Sequence, residues 1–327
     1  MFFLSHKSEK ILALAMSSYS LLACSKQVSC VKNRWEVDGI SYCYDNEKRY
    51  LYIDVIGEGG EIKKDDFKDF VMHDVESISM GEGVANEGVR LLATKTLMKE
   101  RNVKGQKKKG LCKNLAEYLF RLIPVSEFKI GEGVFQNFRA LKSVKIFEGV
   151  TEIAKSAFDC CSSLEKVQLP DSLRKVGDSA FSYCSNLKNI RIPKNVIEIG
   201  EYAFERCSSL QKVQLSDSLL KIDDLAFTGC SDLKSIRIPK NVTEIGEYTF
   251  EHCSALQEVQ FPDSLLKIGD LAFTGCSALK SIRIPKNVTE IGEGAFKYCS
   301  YLDTAYVPSN AKIGEDAFPD TTKVIRY

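Results

Sequence analysis

Twelve cysteines and three histidines are the residues of this chain whose types could carry chemistry. Thiols and imidazoles at short spacing hold zinc, paired thiols in an exported chain form disulfides, and a thiol beside an imidazole is a nucleophile. The spacing speaks against zinc and against a nucleophile. No C-x-x-C pair exists, no histidine stands at ligand spacing, and His6, His73 and His252 are too scattered to build a Ser/His/Asp or Cys/His device. Cys30 and Cys43 could pair if the chain is exported, while Cys112 and Cys160 have no assigned role. Gly57-Glu58-Gly59-Gly60 has Ile62 where a dinucleotide fingerprint needs its last glycine. The basic loop Lys104 to Lys109 has no interleaved aromatics and reads as a solvated loop, not a nucleic-acid site. We therefore expect no catalytic residue, no metal, no cofactor and no nucleic-acid partner.

What the remaining cysteines do follows from the element that places them. Cys161, Cys184, Cys207, Cys230, Cys253, Cys276 and Cys299 recur every 23 residues, in step with Phe135, Phe158, Phe181, Phe204, Phe227, Phe250, Phe273 and Phe296, with Phe318 one residue early. The unit reads I-G-x-x-A-F-x-x-C-x-x-L-x-x-I-x-I-P-x-x-V-x-x. Its L-x-x-I-x-I segment alternates as one strand, ended by a proline that removes an N–H. A coil this short buries its apolar positions only against its neighbours, so the pattern predicts a solenoid with a parallel sheet and coils ~4.8 Å apart. At the repeated position a free cysteine is a small inward apolar group.

The motif C-x-x-L-x-x-I-x-I-P-x-x-V-x-x-I-G-x-x-A-F, filled from about residue 130 to 318, resembles the BspA-like (Treponema-type) leucine-rich repeat family. The resemblance implies an α/β-type repeat solenoid with a parallel β-sheet on the concave face and a mostly irregular convex side. It also implies bacterial surface proteins, with relatives in mucosal protists, linked with adhesion and without catalytic residues. Upstream, Trp35 and Tyr50-Leu51-Tyr52-Ile53 suggest a β-rich cap over 25–84. Helical spacing in 86–101 and 111–122 suggests a helical insertion and divergent repeat over 85–129, before the solenoid and its C-terminal cap at 130–327.

The first 24 residues carry Lys7 and Lys10, an apolar run from Ile11 to Leu22, and Leu21-Leu22-Ala23-Cys24. The run is too short for a stable membrane span and reads as an export signal. Its end resembles the lipobox of bacterial lipoproteins, which makes Cys24 the expected lipidation site; plain secretion and a buried or disordered cytosolic N-terminus are the alternatives. We expect an exported chain, at the cell surface or outer membrane by its lipid anchor, with no other membrane contact. A chain of 327 residues, 44% apolar with a formal charge of +1, folds a core and has no global pull to polyanions.

Charge is organised locally. Residues 199–244 and 245–290 are identical at 38 of 46 positions, so the array grew by copying two coils. Before the framework isoleucine come Glu152, Lys175, Glu198, Lys221, Glu244, Lys267, Glu290 and Lys312; after the strand's proline position come Asp171, Lys194, Asp217, Lys240, Asp263 and Lys286. Stacked in register, each meets its opposite, which helps to fix the register. One column, Asp178, Glu201, Asp224, Glu247, Asp270, Glu293 and Glu315, stays acidic. Local capping of turn N–H groups explains it more simply than a ladder of divalent cations, for which no calcium-loop spacing exists.

The outward strand columns are mildly basic. Lys145, Lys166, Arg191, Lys212, Arg237, Arg283 and Tyr306 are the expected binding residues, facing a protein or glycan ligand on a host or neighbouring cell. Tyr202, Leu225, Tyr248 and Leu271 would form an apolar ribbon if exposed. Two other functions stay open: a display solenoid without a partner, and a carrier for a small N-terminal module at 31–122. Asn241-Val242-Thr243 and Asn287-Val288-Thr289 fit the glycosylation sequon.

Overall fold

The computed structural model describes residues 34–37, 40–45, 50–55, 60–62, 77–80, 128–146 and 148–327. The helical spacing at 86–122, the export segment with Cys24, and Cys30 and Cys112 lie outside them, as does the side chain of Cys43. The chain divides into two compact units. In one, the strands Arg34–Val37, Ile40–Asp45 and Tyr50–Val55 form an antiparallel meander whose backbone register pairs Tyr42 with Trp35 on one strand and with Ile53 on the other. The aromatic and β-branched residues suit such pairing.

The other unit is the solenoid. Its first ladder is made of the predicted L-x-x-I-x-I strands, joined by Ser77–Met80 upstream of the repeat, whose Ile78 pairs in parallel with Val144. They then pair two by two: Ser143–Lys145 with Lys166–Gln168, Asn189–Arg191 with Lys212–Gln214, and Ser235–Arg237 with Glu258–Gln260. The last group joins Ser281–Arg283, Thr304–Val307 and Lys323–Arg326. The sequence reading gave each coil one strand. A second ladder of short strands, such as Lys175–Val176 and Glu198–Ile199, runs along another side, because the V-x-x-I segment also finds its copy one coil away.

Between the ladders the backbone still has to satisfy its polar groups. The turn G-x-x-A-F-x-x does so along the axis. Phe N–H groups donate to the carbonyl one residue before the next coil's phenylalanine at 2.7–2.9 Å, from Phe135 to Ala157 through Phe296 to Ala317. The residues two places on either side turn their N–H the same way by adopting left-handed backbone. Ser179 (φ 50°), Tyr202 (57°) and Leu225 (56°) hold one such column, and Tyr183 (55°), Arg206 (50°) and His252 (55°) the other. A left-handed conformation is unfavourable for these side chains. It persists because Tyr183 N–H reaches Glu205 O and Arg206 N–H reaches Thr228 O, at 2.8 and 2.7 Å.

The same spacing brings equal side chains together. The nine rings from Phe135 to Phe318 form one stack with centroids 5.1–5.5 Å apart and planes within 20°. The rings from Phe135 to Phe296 are fully buried. Each framework thiol is buried beside them and donates to a phenylalanine carbonyl of the coil before, at 3.2–3.4 Å. The cysteine is therefore more than an apolar filler, since its S–H is a weak donor in a place without water. Burial pushes the thiols of Cys253 and Cys299 up to about 12.

The predicted opposite-charge register is present: Lys175 lies between Glu152 and Glu198, and Lys267 between Glu244 and Glu290. Lys175 reaches Glu198 at 3.1 Å, and Lys267 reaches Glu290 at 3.4 Å. Lys221 departs from this, binding Asp223 at 2.8 Å in its own coil, a contact that raises its pKa. Asp223 stands where the copied coil has Gly269, and a Cβ there would meet the backbone of Gly246 and Glu247 closer than side chains pack. At Asp223 the ladder pays for it. Tyr202 N–H to Asp224 O is stretched to 3.3 Å, and among the described residues neither Gly246 N–H nor Thr243 N–H makes the bond its counterparts Gly292 and Thr289 make.

Two outcomes follow. Asp223→Gly closes this interruption and raises unfolding free energy by about 0.5–1 kcal/mol in denaturant titration, with slower hydrogen exchange at Thr243 and Gly246. The buried thiols favour the folded state only while unfolded thiols keep their protons. Stability is then full below the free thiol value of about 8.5 and falls as pH rises from there towards the folded values. Alkylation near pH 9 leaves the seven framework cysteines unlabelled until denaturant is added.

Candidate interaction surface

The first ladder presents its intervening side chains to solvent. Ile190, Ile236 and Ile282 point inward and are buried, while Asn189, Arg191, Ser235, Arg237, Ser281 and Arg283 on either side are exposed. Lys145, Lys166 and Lys212 are exposed in the same columns. Tyr306, the last member, is half-buried. The strand period thus places all seven expected residues on one sheet side.

Their surroundings divide them. Arg237 Nη1 lies 3.0 Å from Asp217 Oδ1. Arg283 lies over Tyr306 and Tyr327, 4.6 and 5.0 Å from the ring centroids, and Tyr327 OH donates to Ile284 O at 2.6 Å. Arg283, Tyr306 and Tyr327 help to close the C-terminal end, while Arg237 is tied to the preceding coil. In the same half, Glu258 Oε1 accepts from Gln260 Nε2 at 2.6 Å. By contrast, Lys145, Lys166, Arg191 and Lys212 make no side-chain hydrogen bond or ion pair among the described residues. Among the described residues, these four place one such cation on each of four successive coils in the N-terminal half of the face; Lys323, in register with Thr304, is a further exposed cation at the other end.

Two aspartates of the acidic column cap the next coil. Asp224 Oδ1 accepts from Glu247 N–H, and Asp270 Oδ1 from Glu293 N–H, each at 2.8 Å. Asp224 and Asp270 thus each satisfy an N–H in the next coil, the capping expected of this column, at two of its seven positions. The sequon asparagines are also engaged: Asn241 Nδ2 donates to Asp217 O and Asn287 Nδ2 to Asp263 O, both at 2.7 Å. His252, on left-handed backbone, has a mostly exposed side chain near Glu251.

Tyr202, Leu225, Tyr248 and Leu271 are half-buried and hold left-handed backbone, so they form no open ribbon. The exposed apolar column is instead Ile197, Leu220 and Leu266, 48–56% exposed, one residue after the framework Val196, Leu219 and Leu265. The signal was the second leucine of the D-S-L-L copies. Tyr298 and Tyr301 are exposed near the C-terminal end.

A family model described as the BspA-type leucine-rich repeat region matches residues 121–234 and 221–325, with six copies. No curated protein matches. Among solved structures, a leucine-rich repeat protein from Bacteroides ovatus is 26% identical, with a TM-score of 0.53 over 89% of this chain and 70% of the other. A T. pallidum leucine-rich repeat protein is 23% identical, with a TM-score of 0.48 over 76% of this chain and 91% of the other. A leucine-rich cell surface protein from Faecalibacterium prausnitzii is 20% identical, with a TM-score of 0.36 over 92% and 96%.

Removing Tyr327 isolates the closure at the C-terminal end. Tyr327→Ala loses a hydrogen bond and one ring over Arg283, at a local cost of about 1–2 kcal/mol. Hydrogen exchange should quicken across Ser281–Arg283 and Lys323–Arg326 while Asn189–Arg191 keeps its protection, since coils contact only their neighbours.

Proposed function

The chain belongs to the BspA-type leucine-rich repeat family, and on that premise we propose that it is an exported, surface-exposed protein that binds a macromolecule without chemistry. The observation that supports this best is the row of exposed cations Lys145, Lys166, Arg191 and Lys212, without a side-chain partner among the described residues, on strands whose backbone is held by neighbouring coils. Cations without an internal partner have no ion pair to break when a ligand arrives, and the ladder already holds the backbone that carries them. Extended solenoid faces commonly serve as docking surfaces. Adhesion to a host or neighbouring cell is the role that suits such a face on an exported chain. Arg237, Arg283 and Tyr306 act as the ordered border of this surface.

Export rests on Lys7, Lys10, the run Ile11 to Leu22 and the lipobox-like Leu21-Leu22-Ala23-Cys24. In this reading Cys24 carries the lipid, and secretion of the free protein is the variant without it. The test is protease shaving of intact source cells followed by mass spectrometry. Release of repeat peptides together with a lipid-modified fragment beginning at Cys24 is the expected result. Protected repeats with an intact Met1 would overturn export. Charge reversal of Lys166 and Arg191 should reduce attachment of the purified protein to partner cells by about tenfold; unchanged attachment would favour a display solenoid.

A further inference from the structure

The chemistry of the free patch narrows its partner further, on the reading that the strand face is the binding surface. Lys145 and Arg191 stand in one outward column, Lys166 and Lys212 in the other, each pair two coils apart. With coils ~4.8 Å apart and the columns two residues apart along the strand, a line along the solenoid passes one cation per coil, on alternating sides. Between them lie Gln168, Asn189 and Gln214, which are hydrogen-bonding amides. The outward positions of these four strands hold no aromatic, no large apolar residue and no carboxylate. Glu165, at the margin just before Lys166, is flanked in its own column by Lys142 and Lys188.

We propose that this four-coil patch binds a linear sulfated polysaccharide lying along the solenoid axis, with anionic groups meeting successive cations and ring hydroxyls meeting the amides. Three features favour that class. A protein partner is held mainly by desolvated aromatic and arginine anchors, and the patch offers none of the first and one of the second. Single-stranded nucleic acid needs stacking faces, which are also missing. A sulfated chain carries charge at a short, regular repeat on a hydroxyl-rich backbone, and three of the four cations are lysines, flexible point charges with rotatable donors that follow sulfate groups without demanding a planar fork.

The experiment uses the full chain and heparin-derived oligosaccharides of defined length in calorimetric titration, with desulfated heparin, polyglutamate and an oligonucleotide as competitors. Binding should require sulfate and fall about tenfold in the Lys166→Gln, Arg191→Gln double variant. The slope of log affinity against log salt should drop with it, reflecting two fewer ionic contacts. Lys267→Gln, in the second ladder and paired with Glu290, should change affinity less than about twofold. Absence of sulfated-oligosaccharide binding, equal binding of the double variant, or preference for the oligonucleotide would each overturn the proposal. Polyglutamate binding in place of heparin would also overturn it, moving the patch to an acidic protein. If the double variant loses attachment to partner cells while the wild type ignores heparin, the glycan inference fails and the broader surface reading stands; if attachment is also unaffected, both fail.

Discussion

Axial hydrogen bonds between successive coils are the constraint on which this structure depends. The turn around each phenylalanine is neither helix nor strand, yet Phe135 N–H reaches Ala157 O, Asn137 N–H reaches Asp159 O, and the pattern continues coil after coil. Once the backbone is satisfied in this way, the separation of coils is set and each side chain must tolerate its own copy at one-coil distance. Phenylalanine tolerates it by stacking. Cysteine tolerates it by being small and by donating its S–H to a carbonyl. Where Gly269 lies against Gly246, the closeness leaves no space for a Cβ.

Charged residues cannot tolerate their own copies so readily, and this gives the two-coil unit its physical purpose. Glu152, Lys175 and Glu198 are neighbours in the second ladder, and alternation turns two repulsions into two attractions. In the acidic column Asp224 and Asp270 take another route, each lending an oxygen to an N–H of the next coil. The first ladder carries the same two-coil period in its pairing, since the isoleucine strands are buried at their centre and the valines Val167, Val213 and Val259 only partly. On the first ladder's face Lys145, Lys166, Arg191 and Lys212 have no side-chain partner among the described residues, whereas Arg237 is held by Asp217 and Arg283 by Tyr306 and Tyr327.

Most of this was legible from spacing alone. The Phe, Cys and Ile columns, the strand under L-x-x-I-x-I and the opposite-charge register all follow from a period of 23 and the alternation of a strand. What escaped was conformation without a residue signature. Left-handed backbone usually advertises itself through glycine, but here Tyr202, Leu225 and Arg206 adopt it, held by bonds to the following coil. That hid the real orientation of the expected apolar ribbon. The second strand is so short that Lys175–Val176 leaves no alternation to read. The candidate surface was legible as a column but not as a divided one, because the partners of Arg237 and Arg283 are brought in from Asp217 and from the far C-terminal Tyr327.

The central claim is that inter-coil spacing makes charge a property of columns, so that identical substitutions differ according to the neighbours their column supplies. The most direct measurement compares urea unfolding of Lys175→Glu with that of Lys145→Glu at low and high salt. Lys175 stands between Glu152 and Glu198, whereas Lys145 pairs with Gln168. We predict that Lys175→Glu costs about 1 kcal/mol more than Lys145→Glu at low salt, with the difference shrinking as salt rises. Equal cost at both positions, independent of salt, would contradict the account.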